Sequence, residues 1–398
     1  MSTANTTPEI SPAPVQSETC LLVLLTPMPQ EQLDIVVGSL AATMPTENLV
    51  IAAPDGVSEA LHPNHRLVPS PPAKASWTLT AADFVHAYEL AQEHKADGVL
   101  MLGPNSVSLG ADGLRDLART VQSGAIDLVI PHYELPPHAG LVNSALLYPL
   151  TRALFAARAR FPLAIDLGLS LRLAERLAGG ASRFVSLNQA EAPLWPVNEA
   201  VVAGFTMKEI SVGPRSLPQP TAPDLHTILP MVSGSFFADI EAKAAFWQRA
   251  RKTPPAQSRI KTEHTASPEA AANIAPMLQA FQLAYTNLQS IWSLVLSPNS
   301  LLDLKRLYDS DATSFHLPES LWARIIYDFL LAYRLRTINR GHLLGALVPL
   351  YLAWVASHIN WTSAGVDPEQ HIEAIAMAFE QEKPYIVSRW RWPDRFNP

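Results

Sequence analysis

Short apolar runs alternate with longer amphipathic stretches through the first third of the chain. Cys20–Leu25, Leu49–Ala53, Gly98–Leu102 and Ile126–Ile130 are continuous apolar runs of strand length. Gln30–Leu40, Leu79–His94 and about Asp112–Ser123 carry helical spacing between them. Strands that are apolar on both faces, separated by helices, predict a parallel sheet covered on both sides. Residues 19–130 read as half of a doubly wound sheet. Ligands of such sheets sit outside the carboxyl ends of the strands. The residues there are Thr26-Pro27-Met28, Asp55-Gly56-Val57-Ser58 and Gly103-Pro104-Asn105-Ser106.

The stretch Pro131–Gly168 leaves the fourth apolar run through a Pro/His/Tyr loop and enters a helical segment, Leu141–Ala157. It ends in a loop with one acid, Asp166, between Ile165 and Leu167-Gly168. Beyond it, Leu169–Leu177 reads as helix, and Arg183–Leu187, Val201–Phe205 and Glu209–Val212 as strand candidates. From Asp239 the pattern is almost purely helical, with helices near Ala270–Ser290, Pro318–Arg336, Leu343–Ile359 and Asp367–Lys383. Polar, proline-containing Lys252–Pro268 reads as a linker or mobile loop. The expected organisation is a disordered tail at 1–18, an α/β domain at 19–235 and a helical domain at 236–398.

Composition narrows the classes. At 398 residues, 48% hydrophobic and 16% charged, the chain has ample material for cores. A net charge of −7 argues against a nucleic-acid scaffold. The single cysteine, Cys20, excludes an intrachain disulfide framework and a multi-cysteine metal site. The first residues lack the basic start and apolar core of a signal peptide, and a cytoplasmic location is expected. The longest apolar run, Leu343–Ala356, holds 14 residues with Pro349 in the middle. That is short for a membrane span and reads as a buried helix, so no transmembrane segment is expected. The apolar C-terminal helices could cover a homodimer interface. No G-x-S-x-G, phosphate-loop or dinucleotide G-x-G-x-x-G motif occurs, which argues against hydrolase, NTPase and Rossmann dehydrogenase chemistry.

The series strand–TPMP, strand–PDGVS, loop–AKAS, strand–GPNS and strand–PHY, followed by GLVNSALLYPLTRAL and DLG, resembles one known group. It is similar to GT-A-fold glycosyltransferases of the glucosyl-3-phosphoglycerate synthase and mannosylglycerate synthase type. Tyr148–Leu154 and Pro162–Gly168 carry the most specific match. Leu321-Trp322, Tyr327-Asp328-Phe329, Pro349–Leu352 and Phe379–Pro384 extend the likeness over roughly residues 19–390. The resemblance implies sugar transfer from a nucleotide-sugar donor to a small-molecule or glycan acceptor. It implies nucleotide contacts from Thr26, Pro27, Asp55 and Ser58, and a phosphate contact from Lys74. It also implies an acceptor-side role for Asp166.

One departure stands out. The family carries Asp-x-Asp for Mg²⁺ or Mn²⁺ where this chain has Gly103-Pro104-Asn105. Only the Asn105 carbonyl oxygen would remain, and hard cations prefer carboxylates. The late metal-binding histidine also has no counterpart in Val212–Leu217, and His226 is displaced. Mg²⁺ or Mn²⁺ would still be able to meet the Asn105 oxygen, at a much weaker site, and no residue is assigned as a metal ligand. Two activities follow: a metal-independent transferase in which Lys74, Arg152 and Arg215 replace the cation, or a catalytically degenerate binding or regulatory protein.

Each residue also has a simpler role. Asp166 would act on the acceptor or cap the helix beginning near Leu169. Arg152 would bind phosphate bidentately, as part of the catalytic set with Asp166, or pair with an acid on a neighbouring element. Asp55 in Pro-Asp-Gly is a turn signal as much as a nucleotide ligand. His132 and His138 lack a carboxylate at metal-ligand spacing.

Overall fold

The structure is a computed structural model that describes residues 20–44, 48–54, 66–74, 76–217, 225–249 and 273–393. Its centre is a seven-stranded sheet of β1 (Leu21–Leu25), β2 (Leu49–Ala53), β3 (Arg66–Pro69), β4 (Gly98–Leu102), β5 (Leu128–Glu134), β6 (Asp166–Ser170) and β7 (Met207–Pro214). The spatial order is β3-β2-β1-β4-β6-β5-β7. All neighbours run parallel except β6, which lies antiparallel between β4 and β5. β1 and β2 are buried at every residue, as expected for strands covered on both faces.

Helices α1 (Gln30–Thr43) and α3 (Ala111–Gln122) cover one face through Leu33, Val37, Leu40, Leu114 and Leu117. Helix α2 (Ala81–Glu93) covers the other through Phe84, Ala87 and Leu90. A capping box starts α2, with Asp83 accepting from the Thr80 amide at 2.7 Å. Past β5, a π-helical turn at Asn143–Leu147 leads into α4 (Tyr148–Phe155), all of whose residues are buried. The sequence suggested one helix over Leu141–Ala157. Ala156, in the left-handed region at φ 59°, ends it early.

Two elements differ in kind from the sequence reading. Asp166 opens a strand rather than sitting in a loop, and the next helix, α5 (Leu171–Ser186), is capped by Ser170 instead. A glycine in mid-strand hid β6. Gly168 is needed there because a Cβ would stand 2.3 Å from Val121 Cγ2. Arg183–Leu187 is the end of α5 and the turn after it, and Val201–Phe205 falls mostly in α6 (Pro196–Ala203). Glu209–Val212 lies in the edge strand β7. The other edge strand, β3, is four residues long and ends in proline, so it carried no pattern to read.

The remainder is helical. It comprises α7 (Leu225–Ala242), α8 (Ala244–Trp247), α9 (Ala275–Asn287), α10 (Gln289–Val295), α11 (Pro298–Tyr308), α12 (Glu319–Leu335), α13 (Arg340–Ser363) and α14 (Pro368–Arg391). The boundary expected at 235/236 falls inside α7, which runs through it unbroken. One apolar core joins α4 and α7 to α9–α14. Among the described residues, one helix, Arg340–Ser363, is long and apolar enough to cross a membrane, but 83% of its apolar window is buried inside the protein.

The sheet and helical halves meet at a histidine stack. His358 of α13 and His371 of α14 stack at 5.0 Å with their Nδ1 atoms 2.8 Å apart. One nitrogen donates and the other accepts, so the two rings carry opposite tautomers. His138, from the loop after β5, packs edge-on against His358 at 6.2 Å. Burial, then the neighbouring His371, pushes His358 down to about 3; burial pushes His371 down to about 4 against the pull of Glu319. His316 and Arg160 also face this cluster. Between pH 6.5 and about 4 the unfolded chain therefore binds protons that the fold refuses. Stability from this stack is complete above pH 6.5 and is lost as pH falls through that window. His371→Gln should flatten the loss by about 1.4 kcal/mol per pH unit relative to wild type. Urea unfolding at pH 4.5, 5.5 and 7 checks this, and parallel slopes for the two proteins would refute it.

Candidate functional site at the strand ends

The carboxyl ends of β1, β2 and β4 lie side by side, as the parallel register requires. Thr26 continues from β1 and ties itself to β4, its amide and hydroxyl both donating to the Leu102 carbonyl at 3.1 and 3.2 Å. Pro27 follows, half-buried. Ser106, just past β4, donates to the Met28 sulfur at 4.0 Å. The β1 and β4 loops are thus fastened to one another. Asp55 and Ser58 lie outside the described residues.

At the β4 end, the antiparallel neighbour β6 brings in Asp166. The backbones pass so closely that a Cβ on Gly103 would stand 2.5 Å from the Ile165 carbonyl oxygen, so only glycine fits. Asp166 accepts from the Gly103 amide at 2.9 Å and from the Tyr133 hydroxyl at 2.9 Å. It also pairs with Arg215, whose Nε and Nη2 reach its two oxygens at 3.0 and 3.3 Å. Both side chains are 0% exposed.

Arg215 has no unused direction. Nη2 donates to the Pro104 carbonyl at 2.8 Å, and Nη1 donates to the carbonyls of Asn105 and Ser216 and to the Ser108 hydroxyl. Burial opposes the charge on Arg215, but the Asp166 carboxylate outweighs it and pushes its pKa up. Burial, then the charge on Asp166, holds the Tyr133 hydroxyl well above its ordinary value, so it remains a proton donor.

This geometry corrects two expectations. Arg215 does not offer a guanidinium to a ligand, because every N–H already has an acceptor within the protein. Asp166 is not open to an acceptor molecule, because both oxygens are engaged and buried.

Arg152 is not gathered into this site. It lies on α4 and pairs with Glu373 at 2.9 Å and Glu380 at 3.2 Å, both on α14. It also donates to the Tyr148 hydroxyl at 3.1 Å, and that hydroxyl donates to Glu373 at 2.6 Å. The catalytic role expected for it gives way to docking of α4 onto α14. Lys74 follows the β3 end and is 82% exposed, paired with exposed Glu191. Such a pair is weak and yields readily to a better anion. Asn105 stands at the end of the β4 loop in the left-handed region, φ 59°. His132, read as lacking an acid, has Glu209 at 3.4 Å across the β5–β7 pairing. Sequence spacing concealed it because the two residues are far apart in the chain. Among the described residues no group of three or more His, Cys, Asp or Glu could hold a metal ion. Cavities of about 340 and 210 Å³ open beside α11 in the helical half, the larger lined by Arg306, His316 and Arg324, the smaller by Leu278 and Phe281.

Several solved structures match part of this chain, each with a TM-score below 0.5. Glucosyl-3-phosphoglycerate synthase from Mycobacterium tuberculosis, in complex with Mn²⁺, UDP and glucosyl-3-phosphoglycerate, matches with a TM-score of 0.37 and 15% identity over 56% of this chain and 79% of that one. The same enzyme with Mg²⁺ and UDP matches with a TM-score of 0.37 and 14% identity over the same shares. A structure described as a mycobacterial protein matches with a TM-score of 0.36 and 13% identity, over 56% of this chain and 74% of that one. No family model and no curated protein sequence matches the chain.

Removing Arg152 tests its assignment. Arg152→Ala leaves two largely buried glutamates without their cation, which should cost about 3–5 kcal/mol of stability. Urea denaturation should show this as a lowered midpoint, while ligand affinity at the strand ends stays unchanged in the folded fraction. Lost affinity with full stability would restore Arg152 to the binding site.

Proposed function

We propose that the chain is a nucleotide-sugar-dependent glycosyltransferase whose donor lies across the carboxyl ends of β1, β2 and β4. The observation that carries this reading is the convergence at that edge of Thr26, Pro27 and the Gly103–Asn105 loop, the position where open α/β sheets take nucleotides. The sequence resemblance supplies the reaction class, and the acceptor is a small molecule or glycan. Lys74 follows β3, whose end pairs with that of β2, and as an exposed cation it suits the diphosphate. Thr26, Pro27 and Asn105 line the donor side, and Asp55 and Ser58 complete it by sequence position.

Donor binding is metal-independent in this proposal. The carbonyls of Pro104 and Asn105 and both oxygens of Asp166 already face the Arg215 guanidinium, so a cation would have to displace a buried arginine to use them. The same closure favours a second reading, a binding or regulatory protein that holds a nucleotide sugar without turnover, since Asp166 offers no open carboxylate.

A thermal-shift screen with UDP-, GDP- and ADP-sugars, each with Mg²⁺, Mn²⁺ or EDTA, separates these. At 100 times its dissociation constant the donor should add about 2.7 kcal/mol of stability. A shift that survives EDTA, together with release of the nucleoside diphosphate when acceptors are supplied, supports the transferase. A shift without release under any acceptor supports the second reading. A shift that needs metal, or none from folded protein, refutes the proposal.

A further inference from the structure

We infer that the buried Asp166–Arg215 pair is a positioning device that turns the backbone amide of Asn105 outward to hold the diphosphate of a nucleotide ligand. This rests on the strand-end crevice being a nucleotide site. The carbonyls of Pro104 and Asn105 both point inward at the guanidinium. In a trans peptide the N–H points opposite to the C=O, and the described residues contain no cis peptide bond. The amide shared by Pro104 and Asn105 therefore directs its N–H away from Arg215. The Ser106 amide is taken by the Gly103 carbonyl at 3.3 Å, whereas the Asn105 amide has no acceptor among the described residues.

Charge strengthens the arrangement. A cation behind a carbonyl polarises that peptide and makes its N–H a better donor to an anion. The Asp166–Arg215 pair is neutral in sum, so its action is local and directional rather than a long-range attraction. The left-handed backbone of Asn105 sets the turn that exposes this amide. Ser108 braces it from behind, donating to the Asn105 carbonyl at 2.8 Å and accepting from Arg215 and the Ser216 amide at 3.0 Å. Arg215 touches no ligand in this scheme; it acts through the loop. The chemistry recognised is a phosphate oxygen rather than a base or a sugar.

The test compares nucleoside diphosphates with their parent nucleosides in EDTA. Calorimetric affinities for UDP, GDP and ADP, and for uridine, guanosine and adenosine, are measured on wild type, Arg215→Lys and the double variant Arg215→Met/Asp166→Asn. Lysine keeps the charge but cannot reach every acceptor, and the double variant leaves no orphaned charge. Loss of one aligned bond to a charged oxygen predicts about a tenfold weaker diphosphate, with the nucleoside within about twofold. Equal losses for both ligands, or an unchanged diphosphate affinity in a folded variant, overturn the inference. Should both variants fail to fold, Ser108→Ala removes only the brace, and a phosphate-specific loss of about threefold is expected; none overturns it. Wild type that binds no diphosphate at all refutes the nucleotide site itself, a distinct result.

Discussion

A buried ion pair governs the front of this molecule. Asp166 and Arg215 are fully enclosed, and enclosing two charges carries a desolvation cost of several kcal/mol for each ion. The cost is offset only if every donor and acceptor is matched. Here the matches come from four places: the Gly103 amide, the Tyr133 hydroxyl, the Pro104 and Asn105 carbonyls, and the Ser108 hydroxyl with the Ser216 carbonyl. Those groups belong to the loop after β4, to β5 and to the segment after β7. One interaction thus fixes the relative positions of segments scattered over more than a hundred residues. It also explains the antiparallel strand. Asp166 reaches the β4 end because β6 starts there, and a parallel β6 would begin at the opposite edge.

A second set of charges holds the two halves together by a different logic. Arg152, Tyr148, Glu373 and Glu380 join α4 to α14, while Arg160 pairs with Glu369 at 2.9 Å. These glutamates are about one-fifth exposed, so the bonds lie at the rim of a large apolar core rather than at its centre. Apolar packing supplies the attraction between halves, and the ion pairs fix its register. The histidine stack lies in the same seam and tolerates no added charge, which couples the seam to pH.

The central strands and the helices around them were legible because their pattern reports burial directly. Leu21–Leu25, Leu49–Ala53 and Gly98–Leu102 are continuous apolar runs and are strands buried at every residue. β6 was not legible, since Asp-Leu-Gly-Leu-Ser has an acid at one end and a glycine in the middle. Both are there for tertiary contacts, the acid with Arg215 just after β7 and the glycine with Val121 of α3. The site divides in the same way. Thr26, Pro27 and Asn105 stand at strand ends because strand ends can be read from the runs themselves. The binding state of Arg215 could not be read, because its partners lie between 49 and 111 positions away, apart from its neighbour Ser216. Arg152 was ambiguous for the same reason: an arginine on a buried helix has the same sequence signature whether it meets phosphate or glutamate.

The uncharged loop Gly103-Pro104-Asn105 is coherent with the ion pair beside it. A loop carrying two aspartates beside Asp166 would gather three negative charges, and Arg215 could neutralise only one. With glycine, proline and asparagine the loop presents carbonyl dipoles to the guanidinium and no net charge, so a single buried carboxylate balances a single buried cation. Glycine at 103 admits β6, proline at 104 stiffens the turn, and asparagine at 105 tolerates the left-handed backbone. Each of the three residues fits the internal cation. Arg215 and this loop therefore form one unit, and a change to either alone would leave charge or dipole unmatched in the interior.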